Sequence, residues 1–205
     1  MNLYTQYLLP QLMDWSLSDA DLARVRQDLL ATVDGKILEI GFGSGLNLAH
    51  YPKHIRNITA IDANPGMSAL AQKRIQAANI EVDHRVLNGE QLPMLDRTFD
   101  CVVSTLTLCS IANVQQALSE VYRVLKPNGR FLFLEHGLSP DPRTQIWQHR
   151  LTPVQKIIAD GCHLDRDIRS LIAQRFNTVE IKQFEMPNYP GILAAFYQGT
   201  ALKTP

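Results

Sequence analysis

The residues of this chain whose types and spacing suit chemistry are Gly41, Gly43 and Gly45 in ILEIGFGSGL, Asp62 closing ITAID, Glu135–His136 closing RFLFLEH, and Asp160 to His163 in ADGCHLDRD. A glycine-rich turn after a strand lets backbone approach a ligand closely and aims helix N–H groups at it. The pattern is GxGxG, with Leu46 where the dinucleotide fingerprint GxGxxG has its third glycine, so NAD is disfavoured. Read alone, the loop is also a tight strand–helix turn. Asp62 lies about 20 residues on, where an acid at a strand end accepts two ribose hydroxyls. It is alternatively a cap for the helix beginning at Pro65, a role for which Asn64 is better placed. No GK[ST] follows the glycines, which excludes a P-loop, and no metal-ligand spacing is present, so no metal is expected.

On the reactive side, His136 has an unperturbed pKa near neutrality and is a candidate base for a thiol or hydroxyl, or else a partner of the following loop. Gly161 permits a sharp turn that leaves Asp160 or His163 to point inward. The three cysteines, Cys101, Cys109 and Cys162, are odd in number and show no CxxC spacing, which argues against a disulfide framework or zinc knuckle. Cys101 and Cys162 read as core, and Cys109 as pocket lining or packing. Trp147 reads as a core anchor. Tyr4, Tyr7 and Trp15 read as an N-terminal lid or as packing on a sheet edge.

The elements that must hold these residues alternate. Helical spacing marks 19–32, 46–50, 65–78 and 113–125; strand signals mark 36–40, 57–61, 80–86, 99–104 and 130–135. Lys126-Pro127-Asn128-Gly129 reads as a helix stop followed by a turn. The alternation implies a parallel, doubly wound sheet. Residues 140–163 read as short helices outside the sheet, Asp165 as the cap of a helix through Gln174, and 179–184 with 192–198 as a closing strand pair.

Length and charge set bounds. At 205 residues one core is expected, with 1–34 as a helical cap and 137–164 as an acceptor-side insert. Twenty basic and twenty acidic residues cancel, and no like-charge run stands out, so nucleic acid and acidic lipid are disfavoured partners. The first 15 residues lack a basic leader and cleavage site, and no run approaches the roughly 20 apolar residues of a spanning helix. A cytoplasmic protein is expected, with no stable membrane insertion, as a monomer or weak dimer.

ILEIGFGSG, AIDANPGM, NGEQLP, FDCVVSTLTLCSI and EVYRVLKPNGRFLFLEH, in this order over 36–136, resemble the successive motifs of class I S-adenosylmethionine-dependent methyltransferases. The resemblance implies a mostly parallel sheet of about seven strands in a Rossmann-like methyltransferase fold, with S-adenosylmethionine across the carboxyl ends of the first strands. It places Glu39, Gly41, Gly43 and Gly45 around the methionine moiety and Asp62 at the ribose, followed by Asn64 and Met67. Asn88, Gly89 and Glu90 fall beside the adenine, although the commoner pattern has an acid where Asn88 or Gly89 stands. Thr105 and Leu106 form the wall under the sulfonium. A ligand without a pyrophosphate suits a glycine loop with no basic residue.

TLTLCSIANVQQAL, FLEHGLSPDP and LTPVQKIIADGCHLDRD are similar to bacterial relatives of the alkyl thiol methyltransferases. That resemblance implies a small apolar acceptor, a thiol first and a lipid or quinone second. A binder of S-adenosylmethionine without catalysis is the alternative of another class. His136, Asp160 and His163 are the candidate catalytic residues. The strand-four exit STLT is not the Asn/Asp-Pro-Pro-aromatic tetrapeptide of nucleic-acid amino-methyltransferases.

Overall fold

The computed structural model describes residues 3–204, the side chains of Thr5 and Ser68 excepted. A π-helical turn, Tyr4–Leu8, runs into α1 (Leu9–Leu17) and then α2 (Ala20–Leu30). The strands are β1 (Ile37–Ile40), β2 (Asn57–Asp62), β3 (Glu81–Val86), β4 (Phe99–Thr105), β5 (Leu125–His136), β6 (Thr178–Glu185) and β7 (Ala195–Leu202). Between them lie α3 (Pro65–Ala77), α4 (Val114–Val124), α5 (Pro142–Ile158) and α6 (Ile168–Ala173).

Among the described residues these strands form one seven-stranded sheet in the order β3-β2-β1-β4-β5-β7-β6, parallel except that β7 runs antiparallel to both neighbours. Every residue of β1 is buried, as expected of a central parallel strand covered on both faces. Alternate strand residues feed opposite layers. Leu38, Val102, Phe131 and Phe133 join the core with Leu118 and Val121 of α4, whereas Ile37, Val103, Leu132 and Leu134 join Leu22, Leu29 and Leu30 of α2. This is the period-two geometry of a strand serving two helical layers.

The helix starts follow the capping residues. Asp19 accepts from the N–H groups of Asp21 and Leu22, Asn64 from Gly66 and Asn113 from Gln116. Three expectations change. Residues 142–158 form one helix and not several short ones: Asp141 caps its start, and the helix continues through Pro153 despite the lost N–H. Asp167, not Asp165, caps α6, because the Asp165 carboxylate instead faces His149 at 2.9 Å. Lys126 to Gly129 lie inside β5 as an irregularity in register between the Leu125 and Arg130 pairings, with Asn128 at φ 62°.

Gln148 fixes α5 to the sheet. Fully buried, it accepts from Ser139 N–H at 2.8 Å and donates to the carbonyls of Gly137 and Ile192, each at 3.0 Å. Gln148→Leu leaves three backbone groups without this partner, so a loss of about 2–4 kcal/mol in unfolding free energy is expected, read from urea denaturation.

Candidate active site

The chain leaves β1 toward β2 on one side, and after β3 it crosses back to place β4 on the other side of β1. At that switch point, outside the carboxyl ends of the strands, lies a cavity of about 440 Å³. Of the cofactor-side residues named from the sequence, Glu39, Gly41, Gly43, Asp62, Asn64, Met67, Asn88, Gly89, Glu90, Thr105 and Leu106 all line it. Gly45 does not; at φ 82° it starts the 3₁₀ turn Leu46–His50 and packs near Phe42 and Leu48.

The glycines have different reasons. A Cβ on Gly41 would stand 1.9 Å from Thr107 Oγ1, so the β1 and β4 exits approach too closely for any side chain. Gly43, at φ 56°, has open space around it and faces the cavity. Asp62 holds this loop: Oδ2 accepts from Gly43 N–H and Oδ1 from Asn64 N–H, both at 2.7 Å. Burial raises its pKa, and those two N–H groups oppose the rise. Each oxygen retains a lone pair for a further donor. Capping of α3 falls to Asn64, whose Nδ2 also donates to Asp160 at 3.1 Å.

Glu39 is buried and accepts from Asn47 Nδ2 at 2.9 Å and Tyr51 Oη at 2.7 Å. Burial pushes its carboxyl up to about 7. Two residues not named from the sequence stand beside it in the cavity wall. Arg26 of α2 is buried, donates through Nη1 to Leu17 O at 2.7 Å and has no hydrogen-bond partner for Nε among the described residues. Asn47 Oδ1 is likewise buried without a partner. Arg26 was legible in principle, being a charged residue at helical spacing from Leu22, Leu29 and Leu30.

The N-terminal cover is built differently from the expectation. Tyr7 and Trp15 are 60% and 79% exposed, and Tyr4 donates to Ile158 O at 2.6 Å, whereas Leu9, Met13, Asp14 and Leu17 line the cavity. Asp14 accepts from Ser44 Oγ and pairs with Arg74 at 2.8 Å, joining α1 to the glycine loop and α3. Burial alone would raise the Asp14 carboxyl, but Arg74 and Ser44 hold it below the usual value.

Of the three candidate catalytic residues, Asp160 lines the cavity, in a left-handed conformation at φ 47°. His136 does not face it: the ring is buried, with Nε2 at 3.1 Å from Cys162 Sγ. His163 Nδ1 is 3.6 Å from Asp165, and burial lowers its pKa. Cys109 is held well below the usual thiol range, first by Cys162 and then, against burial, by His136; Cys162 is correspondingly pushed up. Glu135 is buried and accepts from Ser104 Oγ at 2.8 Å and Thr107 N–H at 2.9 Å, so it braces the β4 exit. Trp147 is not a core anchor; it is 55% exposed under the Arg150 guanidinium.

Comparison with known proteins shows the family. The methyltransferase-domain family matches residues 38–133. Thiol S-methyltransferase TMT1A of Homo sapiens is 33% identical over 172 residues, covering 82% of this chain and 70% of that protein. TMT1B of Rattus norvegicus is 36% identical over 152 residues, covering 71% of this chain and 62% of its own length. The ubiquinone/menaquinone biosynthesis C-methyltransferase UbiE of Bartonella bacilliformis is 28% identical, with 80% and 70% covered. Among solved structures, phosphoethanolamine N-methyltransferase 2 of Haemonchus contortus, in complex with S-adenosylhomocysteine, matches with a TM-score of 0.73 at 15% identity, covering 98% of this chain and 59% of that one. The chain belongs to the S-adenosylmethionine-dependent methyltransferases of class I. Within that class it stands in a branch that resembles the thiol S-methyltransferases.

The wall fits S-adenosylmethionine. Asp62 has acceptor capacity for a diol, Glu39 is a carboxylate for an ammonium, and the unpartnered Arg26 Nε and Asn47 Oδ1 mark polar groups that a zwitterionic tail would satisfy.

Two outcomes are expected. Asp62→Ala should weaken S-adenosylmethionine binding by about tenfold to a hundredfold in calorimetry, and should lower stability because Gly43 and Asn64 lose their acceptor. Glu39, raised from 4.5 to about 7 in the folded ligand-free protein, contributes stability that is fully present below about pH 4.5 and lost as pH rises through 7. Urea midpoints of wild type should therefore fall more steeply between pH 5 and 8 than those of Glu39→Gln.

Proposed function

We propose that this protein transfers the methyl group of S-adenosylmethionine to the sulfur of a small apolar thiol. When bound, S-adenosylmethionine supplies a methyl group already activated on a sulfonium. What remains for the chain is alignment of the acceptor, exclusion of water and acceptance of a proton.

The observation that carries the thiol reading is the kind of base on the cavity wall. Asp160, which lines the same cavity as the apolar Leu106 and Ile111, is a carboxylate, and the imidazoles of His136 and His163 are directed elsewhere. A thiol ionises near pH 8.5 and is a strong nucleophile once ionised, so a weak base suffices. An alcohol is far harder to deprotonate. The names of the TMT1A and TMT1B relatives point to the same acceptor class. We assign Asp160 as proton acceptor, and residues 137–164 as the acceptor-side cover through Ala159 and Asp160.

The second reading is transfer to a lipid or quinone, favoured by the UbiE relative. Purified protein with S-adenosylmethionine and a panel of alkyl thiols, phenols, quinols and aminophospholipids discriminates the two by product mass. Alkyl thiols should be methylated at a rate that rises with pH as thiolate accumulates, and matching alcohols should not react. Asp160→Asn should lower turnover by about 10–100-fold while S-adenosylmethionine affinity changes little. Methylation of a quinol or lipid amine with all thiols inert would reject the thiol assignment. Binding without product for any acceptor would reject catalysis altogether.

A further inference from the structure

Cys109 follows β4, His136 ends β5 and Cys162 lies in the turn after α5, far apart along the chain. One ligand atom from each, two sulfurs and a ring nitrogen, all lie within 4.8 Å of one another. In a tetrahedral zinc site, bonds of about 2.3 Å to sulfur and 2.0–2.1 Å to nitrogen put the donors roughly 3.5–3.8 Å apart. The 3.1 Å between His136 Nε2 and Cys162 Sγ and the 4.8 Å outer limit bracket that spacing. All three residues are buried, and His136 Nδ1 is buried without a hydrogen-bond partner among the described residues.

The surroundings hold the donors in place. His163 N–H donates to Cys109 O at 2.9 Å, which sets the Cys162 turn directly on the Cys109 loop. Arg166 donates to the carbonyls of Leu108 and Ile111, which fixes that loop on both sides of Cys109. At Gly161, φ 86°, a Cβ would stand 3.0 Å from Ser110 O, so the two segments are in close contact. Two thiols and an imidazole are the donors that soft and borderline cations select.

We propose that Cys109, His136 and Cys162 form a Cys₂His site for a soft divalent cation, zinc first, that cross-links the β4 exit, the end of β5 and the turn after α5. Binding releases to solvent whatever protons the two sulfurs and the imidazole nitrogen still hold, as the metal bonds to sulfur and nitrogen form. Three protein donors leave one coordination position for water or an exogenous thiolate. The expectation of no metal rested on spacing along the chain, whereas these donors meet only through the fold.

Protein purified under reducing conditions, stripped with a chelator and reloaded with zinc or cobalt(II) tests the site. About one metal per chain is expected, together with sulfur-to-cobalt charge-transfer absorption. At a hundredfold excess of free zinc over its dissociation constant, the thermal midpoint should rise by roughly 5–10 °C. Cys109→Ser, Cys162→Ser and His136→Ala should each lose most of the metal, and Cys101→Ala should keep it. Far-UV circular dichroism and S-adenosylmethionine affinity report whether each variant is folded. Reduced wild type that binds no more metal than the folded variants would overturn the site, as would a Cys109–Cys162 disulfide under mild oxidation in protein that takes up no metal when reduced. Neither result bears on which acceptor is methylated.

Discussion

The Asp62 carboxylate holds the site together. It sits at the end of a central strand and accepts from the backbone of two loops at once, the glycine turn at Gly43 and the entry to α3 at Asn64. The glycine turn cannot drift from it, because Gly41 is in contact with Thr107 on the other side, where a Cβ would find no room. Three strand exits are therefore fixed relative to one another, through one buried carboxylate and one missing side chain. The burial that raises the pKa of Asp62 also makes its hydrogen bonds strong.

Much of this was legible in the sequence where local chemistry dictates local structure. GxGxG needs left-handed backbone, and all three glycines have positive φ. Asp19, Asn64 and Asn113 cap the helices they precede because a short polar side chain reaches the free N–H groups of the first turn. The illegible parts depend on partners far along the chain. Proline content suggested a broken segment after β5, yet Gln148 and the Asp141 cap hold one helix through Pro153. His136 sat at the correct strand end for a base, but the turn carrying Cys162 folds onto it. Arg26 carried a local signal and needed the cavity to give that signal meaning.

The N-terminal cover shows the same division between local signal and tertiary outcome. Aromatic residues were the natural choice for a lid, but they stand at the surface, and the cavity is closed by aliphatic residues of α1 together with Asp14. The Asp14–Arg74 pair is partly exposed, and such pairs are worth little on their own. Its use is geometric, since Ser44 of the glycine loop binds the same carboxylate and couples the cover to the loop. Among the described residues, no helix is long and apolar enough to cross a membrane.

The position of β7 has a kinetic consequence. It lies between β5 and β6 and pairs with both, so β6 has no hydrogen-bonding neighbour in the sheet until β7 is in place. Pairing of β7 with β5 must wait for the closure of a loop about as long as the one that brings β4 to β1. The edge of β5 is exposed in the interval, and it carries Phe131 and Phe133, both fully buried once folding is complete. A partly folded chain therefore presents an apolar strand edge open to pairing with another copy, and the rate of the last strand insertion sets how long that exposure lasts.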